Sequence, residues 1–362
     1  MQRHLCIVGG GTGGHVFPAL ALADAVRRRW SGAEVTFIGA ERGLEAELLP
    51  ERGEQVLLLG MHSVQGAGIL QKLRVLFWEL PRAVLCIRRH WRLQRPHLVV
   101  GVGGYASVAG VLAAVVGRVP VVLYEQNAVP GMVNRKLARF CQLLMLGFAD
   151  AARWLPEGKT CFTGNLVADA IRAVRWQAHQ PPRLIVLGGS QGAQVFNETL
   201  PAACRLLRND GHDFQVTHVA GAKQRLQALQ EAYAEAGVDA QVLDFCRDMP
   251  VLYGEADLLL ARAGAMTVCE AALVGLPAVF VPLPHAADNH QWFNAQALAT
   301  AGGAVVVKQR DLSAASLANN IATLLFEKNK LAQMSKAARK AQPQDSEERM
   351  LDILGRWLEV PA

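Results

Sequence analysis

The sequence predicts an α/β protein of two similar halves, each a parallel sheet covered by helices. Three observations carry that expectation. First, apolar runs of strand length recur as LCIVGG (5–10), VTFIG (35–39), LVVGVGG (98–104), VVLYE (121–125), LIVLGG (184–189), LLLARAG (258–264) and AVFVP (278–282), with helix-length segments between them. Runs that are continuously apolar, rather than alternating, belong to strands buried on both faces, which is the condition of a parallel sheet between helices. Second, the opening LCIVGGGTGGHVFPALALADAV is repeated in outline by RLIVLGGSQGAQVFNETLPAACRLL from Arg183, each a strand, a glycine loop and a helix. Third, 362 residues exceed what one hydrophobic core holds, about 250 to 300.

The bulk composition excludes several classes. Hydrophobic residues make up 51% and charged residues 19%, enough apolar surface to rule out a disordered chain. The seven cysteines, at 6, 86, 141, 161, 204, 246 and 269, contain no CxxC pair and no tight cluster with histidine, which argues for a reducing compartment and against structural zinc. Gly9, Gly10, Gly11, Gly13 and Gly14 interrupt the N-terminal apolar run, so it reads as strand and loop rather than a signal peptide. The uncharged stretch Leu98 to Gly117 is long enough for a membrane span, but its five glycines divide it into a β-rich half and an alanine-rich half, as a strand, turn and buried helix would.

A charged, proline-bearing stretch without apolar period, 164–182, is the expected linker. It separates a Rossmann-like N-terminal domain (1–163) from a Rossmann-like C-terminal domain (183–340), with a last helix (341–362) expected to pack back on the first. The two parallel sheets are expected to face each other across a cleft.

Chemistry concentrates in the glycine loops. Gly9, Gly11 and Gly14 satisfy GxGxxG between a strand and a helix, which lets backbone N–H groups approach an anion or a polar ligand. A nicotinamide-dependent oxidoreductase would use the same loop with an acid at the end of the second strand, where Glu41 stands. Against it, His15 follows directly in GGGTGGHVFP and puts a titratable imidazole at the loop's mouth, a placement that suits proton transfer. The second half carries Arg262-x-Gly264-x-x-Thr267-x-x-Glu270 followed by Gly275-x-Pro277. A helix starting near Ala265 would turn its unpaired N–H groups toward a diphosphate, and Glu270, one to two turns in, could accept from the vicinal hydroxyls of a ribose. Ser190 in GGSQG and Gln291 in DNHQWFNA are candidate polar contacts to phosphate and sugar. There is no D-x-D pair, and His285 and His290 lack helical metal-ligand spacing, so no metal is expected.

Taken together, GGGTGGHVFPALALA, GVGGYAS, YEQNAVPG, GGSQGA, RAGAMTVCEAALVGLPAVFVPLPHA and DNHQWFNA resemble, in order and over nearly the whole chain, the successive motifs of the MurG family of GT-B glycosyltransferases. The resemblance implies inverting transfer of N-acetylglucosamine from UDP-N-acetylglucosamine to the C4 hydroxyl of lipid I, the undecaprenyl-linked muramyl pentapeptide, to give lipid II, with no cofactor. By motif position it implies donor contacts from Thr12, Gly13, Gly14, Asn127, Ser190, Cys246, Ala265, Met266, Thr267, Val268, Cys269, Glu270 and Gln291. Inversion needs a base on the acceptor hydroxyl; His15 is the first candidate and Glu125 the second. The sequence departs from the family pattern at GNLVAD (164–169), where Ala168 replaces an expected arginine, at Val108–Ala109 in place of Gly-Pro, and at Cys269 in place of serine.

Between Gly66 and Pro96 lie seven basic residues (Lys72, Arg74, Arg82, Arg88, Arg89, Arg92, Arg95) and one acid, Glu79. Interleaved Ile69, Leu70, Leu73, Leu76, Phe77 and Trp78 suit a surface that dips apolar groups into an anionic bilayer. With Tyr105, the residues Ile69, Leu73, Phe77, Trp78, Lys72 and Arg74 form the expected acceptor and membrane side of a peripheral protein on the cytoplasmic face of the bacterial inner membrane. The competing arrangement turns the apolar residues into the core and leaves the arginines as a solvated face. Nucleic acid is not an expected partner, because stacking aromatics are lacking. Alternative functions are a GT-B transferase acting on another lipid, the oxidoreductase, and a non-catalytic nucleotide-sugar-binding membrane subunit.

Overall fold

The computed structural model describes residues 3–62, 68–189, 192–221 and 226–359, the side chain of Lys72 excepted. The chain forms two compact units, Met1–Leu166 with Asp345–Ala362, and Val167–Gln344.

The first unit is built on seven parallel strands: β1 (His4–Gly9), β2 (Glu34–Ala40), β3 (Val56–Leu59), β4 (Leu98–Gly103), β5 (Val121–Glu125), β6 (Leu143–Leu146) and β7 (Thr160–Phe162). They lie in the order β3-β2-β1-β4-β5-β6-β7. The pleat sends alternate side chains to opposite faces. Leu5 and Ile7 of β1 therefore join one core with the Gly13–Arg29 helix, while Cys6 and Val8 join the other with the helices Leu80–His90 and Tyr105–Gly117. Leu98 to Gly117 divides into β4 and a 13-residue helix. No helix among the described residues is long and apolar enough to cross a membrane.

The helix Ser346–Leu358 belongs to this unit. Its Met350, Leu351, Ile353, Leu354 and Leu358 enter the core beside Trp30. Trp30 Nε1 donates to Glu359 (2.9 Å), and Arg28 pairs with Glu347 (2.8 Å).

The second unit holds six parallel strands: β8 (Arg183–Leu187), β9 (Gln215–Val219), β10 (Asp239–Leu243), β11 (Leu258–Ala261), β12 (Ala278–Phe280) and β13 (Ala304–Val306), ordered β10-β9-β8-β11-β12-β13. Residues 167–182, where the linker is expected, lie in this unit. Trp176 Nε1 donates to Asp257 O (3.0 Å), and the buried Asp257 carboxylate accepts from His179 N and Arg183 N, both at 2.8 Å.

The second core also contains a histidine. His218 is fully buried, its Nδ1 lies 2.9 Å from Tyr233 Oη, and its Nε2 has no hydrogen-bond partner among the described residues. Burial pushes its pKa from 6.5 down to about 4. The unfolded chain therefore takes up a proton in that interval which the folded chain refuses, so stability falls as pH drops through it. The expected loss for this unit is about 3 kcal/mol between pH 7 and pH 4. Melting curves at the two pH values should show it, and His218→Gln should flatten that difference.

Candidate functional site

Both sheets place their first strand between the second and the fourth, so the order in which strands are added reverses beside β1 and again beside β8. In open α/β sheets the crevice at such a point, beyond the carboxyl ends of the strands, is where ligands bind. The glycine loops leave the sheets at these ends.

In the first unit, β1 runs into Gly10–Thr12 and the Gly13–Arg29 helix, and β4 runs into Gly104 and the helix starting at Tyr105. The two loops are joined. Gly10 N donates to Gly103 O (3.2 Å), and Ser107 Oγ donates to Val8 O (2.7 Å) while accepting from Gly103 N (3.1 Å). His15 sits in the first turn of its helix, half-buried, with Nδ1 3.1 Å from Gly10 O and 3.4 Å from Thr12 Oγ1. A carbonyl only accepts, so this contact assigns the proton to Nδ1 and the lone pair to Nε2. Nε2 packs against Gly103, where an added Cβ would lie only 2.8 Å away at a φ of +102°. Only glycine fits there. Thr12, Gly13, Gly14 and Tyr105 lie on the same two loops and are exposed or half-buried.

Glu125 ends β5, the neighbour of β4. The carboxylate expected as the alternative base is 2% exposed and already accepts four hydrogen bonds: Asn127 N (2.9 Å) and Nδ2 (3.3 Å), Gly131 N (3.0 Å) and Asn134 Nδ2 (2.9 Å). Its lone pairs are occupied by donors it cannot deprotonate, so it shapes the loop that carries Asn127. Glu41, the acid that a dinucleotide reading needs, is exposed at the end of β2. The acid at the glycine loop is instead Glu45, which the sequence did not single out; its Oε2 takes the Gly11 N–H at 2.6 Å.

In the second unit the Ala265–Val274 helix begins after Gly264, with no side chain capping its first N–H groups, and ends at Gly275, which is left-handed at a φ of +79°. Gly275 and Pro277 thus form a helix stop and an exit to β12. Val268 and Cys269 are buried; Ala265, Met266, Thr267 and Glu270 reach the surface in part. Arg262 turns away from a phosphate role, donating to Val281 O (3.0 Å) and to Gln309 Oε1 (2.7 Å), so it does not supply the charge missing at Ala168.

Tyr253, also absent from the sequence reading, is fully buried and donates its hydroxyl to Glu270 Oε2 at 2.8 Å. Desolvation pushes the Glu270 carboxyl above its ordinary value, and the Tyr253 bond opposes that rise. Burial, followed by the Glu270 charge, holds the phenol well above its own ordinary value, so it remains a donor. Cys246 is half-buried in the loop after β10 and acts electrostatically on the same phenol. Gln291, in the first turn of the His290–Thr300 helix, accepts from Leu283 N at 2.9 Å. Ser190 lies outside the described residues.

The outer face of the basic segment resolves in favour of exposure. Val75, Glu79, Ala83 and Ile87 turn inward at helical spacing, and Ile69, Leu73, Phe77 (71% exposed) and Trp78 (57%) turn outward. Val75–Glu79 is a π-helical turn, and Arg82 covers the Trp78 ring at 4.3 Å. Arg74 is mostly exposed and pairs with Glu79 at 3.3 Å.

The chain matches the glycosyltransferase family 28 N-terminal domain over residues 5–145 and the family 28 C-terminal domain over 183–350. It is 44% identical to the UDP-N-acetylglucosamine--N-acetylmuramyl-(pentapeptide) pyrophosphoryl-undecaprenol N-acetylglucosamine transferase of Alcanivorax borkumensis, covering 96% of this chain and 97% of that protein. The transferase of the same name from Aeromonas hydrophila is 39% identical over 97% and 96% of the two chains. The crystal structure of MurG from Acinetobacter baumannii superposes with a TM-score of 0.82 at 32% identity, covering 98% and 99%. With two parallel sheets of matching strand order, a histidine-bearing glycine loop in one and an uncapped helix start in the other, the chain belongs to glycosyltransferase family 28, as a GT-B enzyme of the MurG family.

Proposed function

We propose that this chain performs the transfer for which its relatives are named. N-acetylglucosamine passes from UDP-N-acetylglucosamine to the C4 hydroxyl of the muramyl residue of lipid I, with inversion, giving lipid II and UDP. The observation that carries the reading is His15, an imidazole whose proton is assigned to Nδ1 by Gly10 O. Nε2 takes the proton of the C4 hydroxyl while that oxygen bonds to the anomeric carbon and the bond from this carbon to the diphosphate oxygen breaks. UDP leaves with the electron pair, and the N–H groups at the start of the Ala265–Val274 helix meet its charge.

In this reading Thr12, Gly13, Gly14 and Asn127 offer polar groups from the first unit, and Glu125 holds Asn127 in place. Ser190, Cys246, the run Ala265 to Glu270 and Gln291 hold the donor in the second, with Glu270 on the ribose. Against the oxidoreductase alternative, the Gly11 N–H that a pyrophosphate needs is already bonded to Glu45.

The outward face of Ile69, Leu73, Phe77 and Trp78, with Lys72 and Arg74 on the same segment, fits the anionic surface on which a lipid-linked acceptor sits. Each basic residue contributes about 1 kcal/mol near such a surface, which gives reversible, peripheral attachment on the cytoplasmic face of the inner membrane.

The test is incubation with radiolabelled UDP-N-acetylglucosamine, with and without lipid I in detergent. Label should enter the lipid fraction, with matching UDP release, only when lipid I is present. Donor binding without such transfer would overturn the acceptor assignment and return it to other lipids.

A further inference from the structure

We infer that Glu45 is a positioning residue for His15 and acts on it through the Gly10–Gly11 peptide bond. The inference rests on the reading of His15 as the base. Glu45 follows β2 in sequence, yet its carboxylate is buried to 1% exposure beneath the glycine loop. Its Oε2 accepts from Gly11 N at 2.6 Å, and its Oε1 accepts from Ala40 N at 2.9 Å. The loop is built around it: a Cβ on Gly10, Gly39 or Gly43 would fall within 2.4 Å of Glu45 atoms.

The N–H that Glu45 grips and the carbonyl that His15 Nδ1 meets at 3.1 Å are the two ends of one peptide unit. That unit is planar, so fixing its N–H direction fixes its carbonyl direction. A carboxylate on the N–H also polarises the peptide and makes the carbonyl a stronger acceptor. Glu45 therefore orients the imidazole and keeps its proton on Nδ1, as a carboxylate bonded directly to a catalytic histidine would, with a peptide plane between them.

Two backbone donors, Gly11 N–H and Ala40 N–H, converge on the carboxylate. Glutamine has a single acceptor oxygen, so Glu45→Gln turns its NH2 group against one of them and releases the peptide. The expected result is a loss in kcat of roughly tenfold to a hundredfold with donor KM unchanged. In a double-mutant cycle with His15→Ala, the Glu45 substitution should cause no further loss, because the imidazole it positions is already absent. In 15N spectra of the ring, the wild-type Nδ1–H tautomer should give way to a mixture in the variant.

An unchanged kcat for Glu45→Gln, or an equal fold-loss in the His15→Ala background, overturns the inference while His15 stands as the base. A near-normal kcat for His15→Ala alone overturns the base reading itself. If Glu45→Gln does not fold, Glu45→Asp, which keeps both acceptor oxygens with a shorter reach, enters the same cycle.

Discussion

Replacing His15 with alanine is expected to lower kcat by roughly 10² to 10⁴, the range of a positioned acid or base, with donor affinity unchanged. The loop does not depend on the imidazole for its shape. Gly10 N still bonds Gly103 O, His15 N still bonds Thr12 O, and Glu45 still holds Gly11. The ring is only half-buried, so its removal leaves a pocket open to water rather than a sealed cavity in the core. A variant that keeps the contact to Gly10 O but lacks a base separates the two roles. His15→Asn places an amide nitrogen near the Nδ1 position and should be as slow as alanine if proton transfer is the function. A histidine serving only the helix start would show the reverse pattern, a lower melting temperature with kcat retained in both variants. Turnover against lipid I, read beside UDP binding and thermal melting, decides between them.

The fold was legible where burial is complete. The apolar runs named from the sequence are β1, β2, β4 and β5 of one sheet and β8, β11 and β12 of the other, and each set is contiguous at its sheet's centre. The remaining strands, β3, β6 and β7 in the first unit and β9, β10 and β13 in the second, flank those centres. Central strands are covered on both faces and read as unbroken hydrophobic runs, whereas β9 carries Gln215, Thr217 and His218, and β10 exposes Asp239 and Gln241. The strands β7 and β13 are only three residues long and, unlike β12 of the same length, are not fully buried, so neither stands out as an apolar run. The internal repeat carried further than any single run, because two copies of strand, glycine loop and helix give two first strands, and both stand where the strand order of their sheets reverses.

Legibility of the site followed the same division between local and distant. His15 and the helix start at Ala265 were visible because the glycine loop, the strand before it and the helix after it are adjacent in sequence. Glu45 meets Gly11 across 34 positions and Tyr253 meets Glu270 across 17, so neither partner belongs to the motif it supports. A trace existed for Glu45 in the glycines at 39 and 43, which leave room for a side chain, but spacing alone could not say which acid fills it. Arg262 misled in the opposite sense: it opens the motif, yet its guanidinium is committed to Val281 O and Gln309.

Glu270→Ala is expected to weaken UDP binding about a hundredfold or more, since two hydrogen bonds to a charged acceptor contribute roughly 1.5 to 3 kcal/mol each. Tyr253 occupies one position on Oε2 at 2.8 Å, which leaves the carboxylate further acceptor sites for ribose hydroxyls. If the ribose sits there, the wild-type protein should prefer UDP to 2′-deoxy-UDP and the alanine variant should bind the two alike. Equal preference in both proteins would remove Glu270 from the ribose. The acid form of Glu270 is a poor acceptor for two hydroxyls, and desolvation has moved its titration above that of an ordinary carboxylate. Donor binding should therefore weaken on acidification at a higher pH than an exposed glutamate would allow. Tyr253→Phe tests the same balance from the other side. The phenol's hydrogen bond favours the charged form, so removing it lets desolvation act unopposed, and the pH at which UDP binding is half lost should rise. Titration calorimetry of the three proteins across the acid range reads both effects, and a Tyr253→Phe profile identical to wild type would mean that the hydroxyl only fills space.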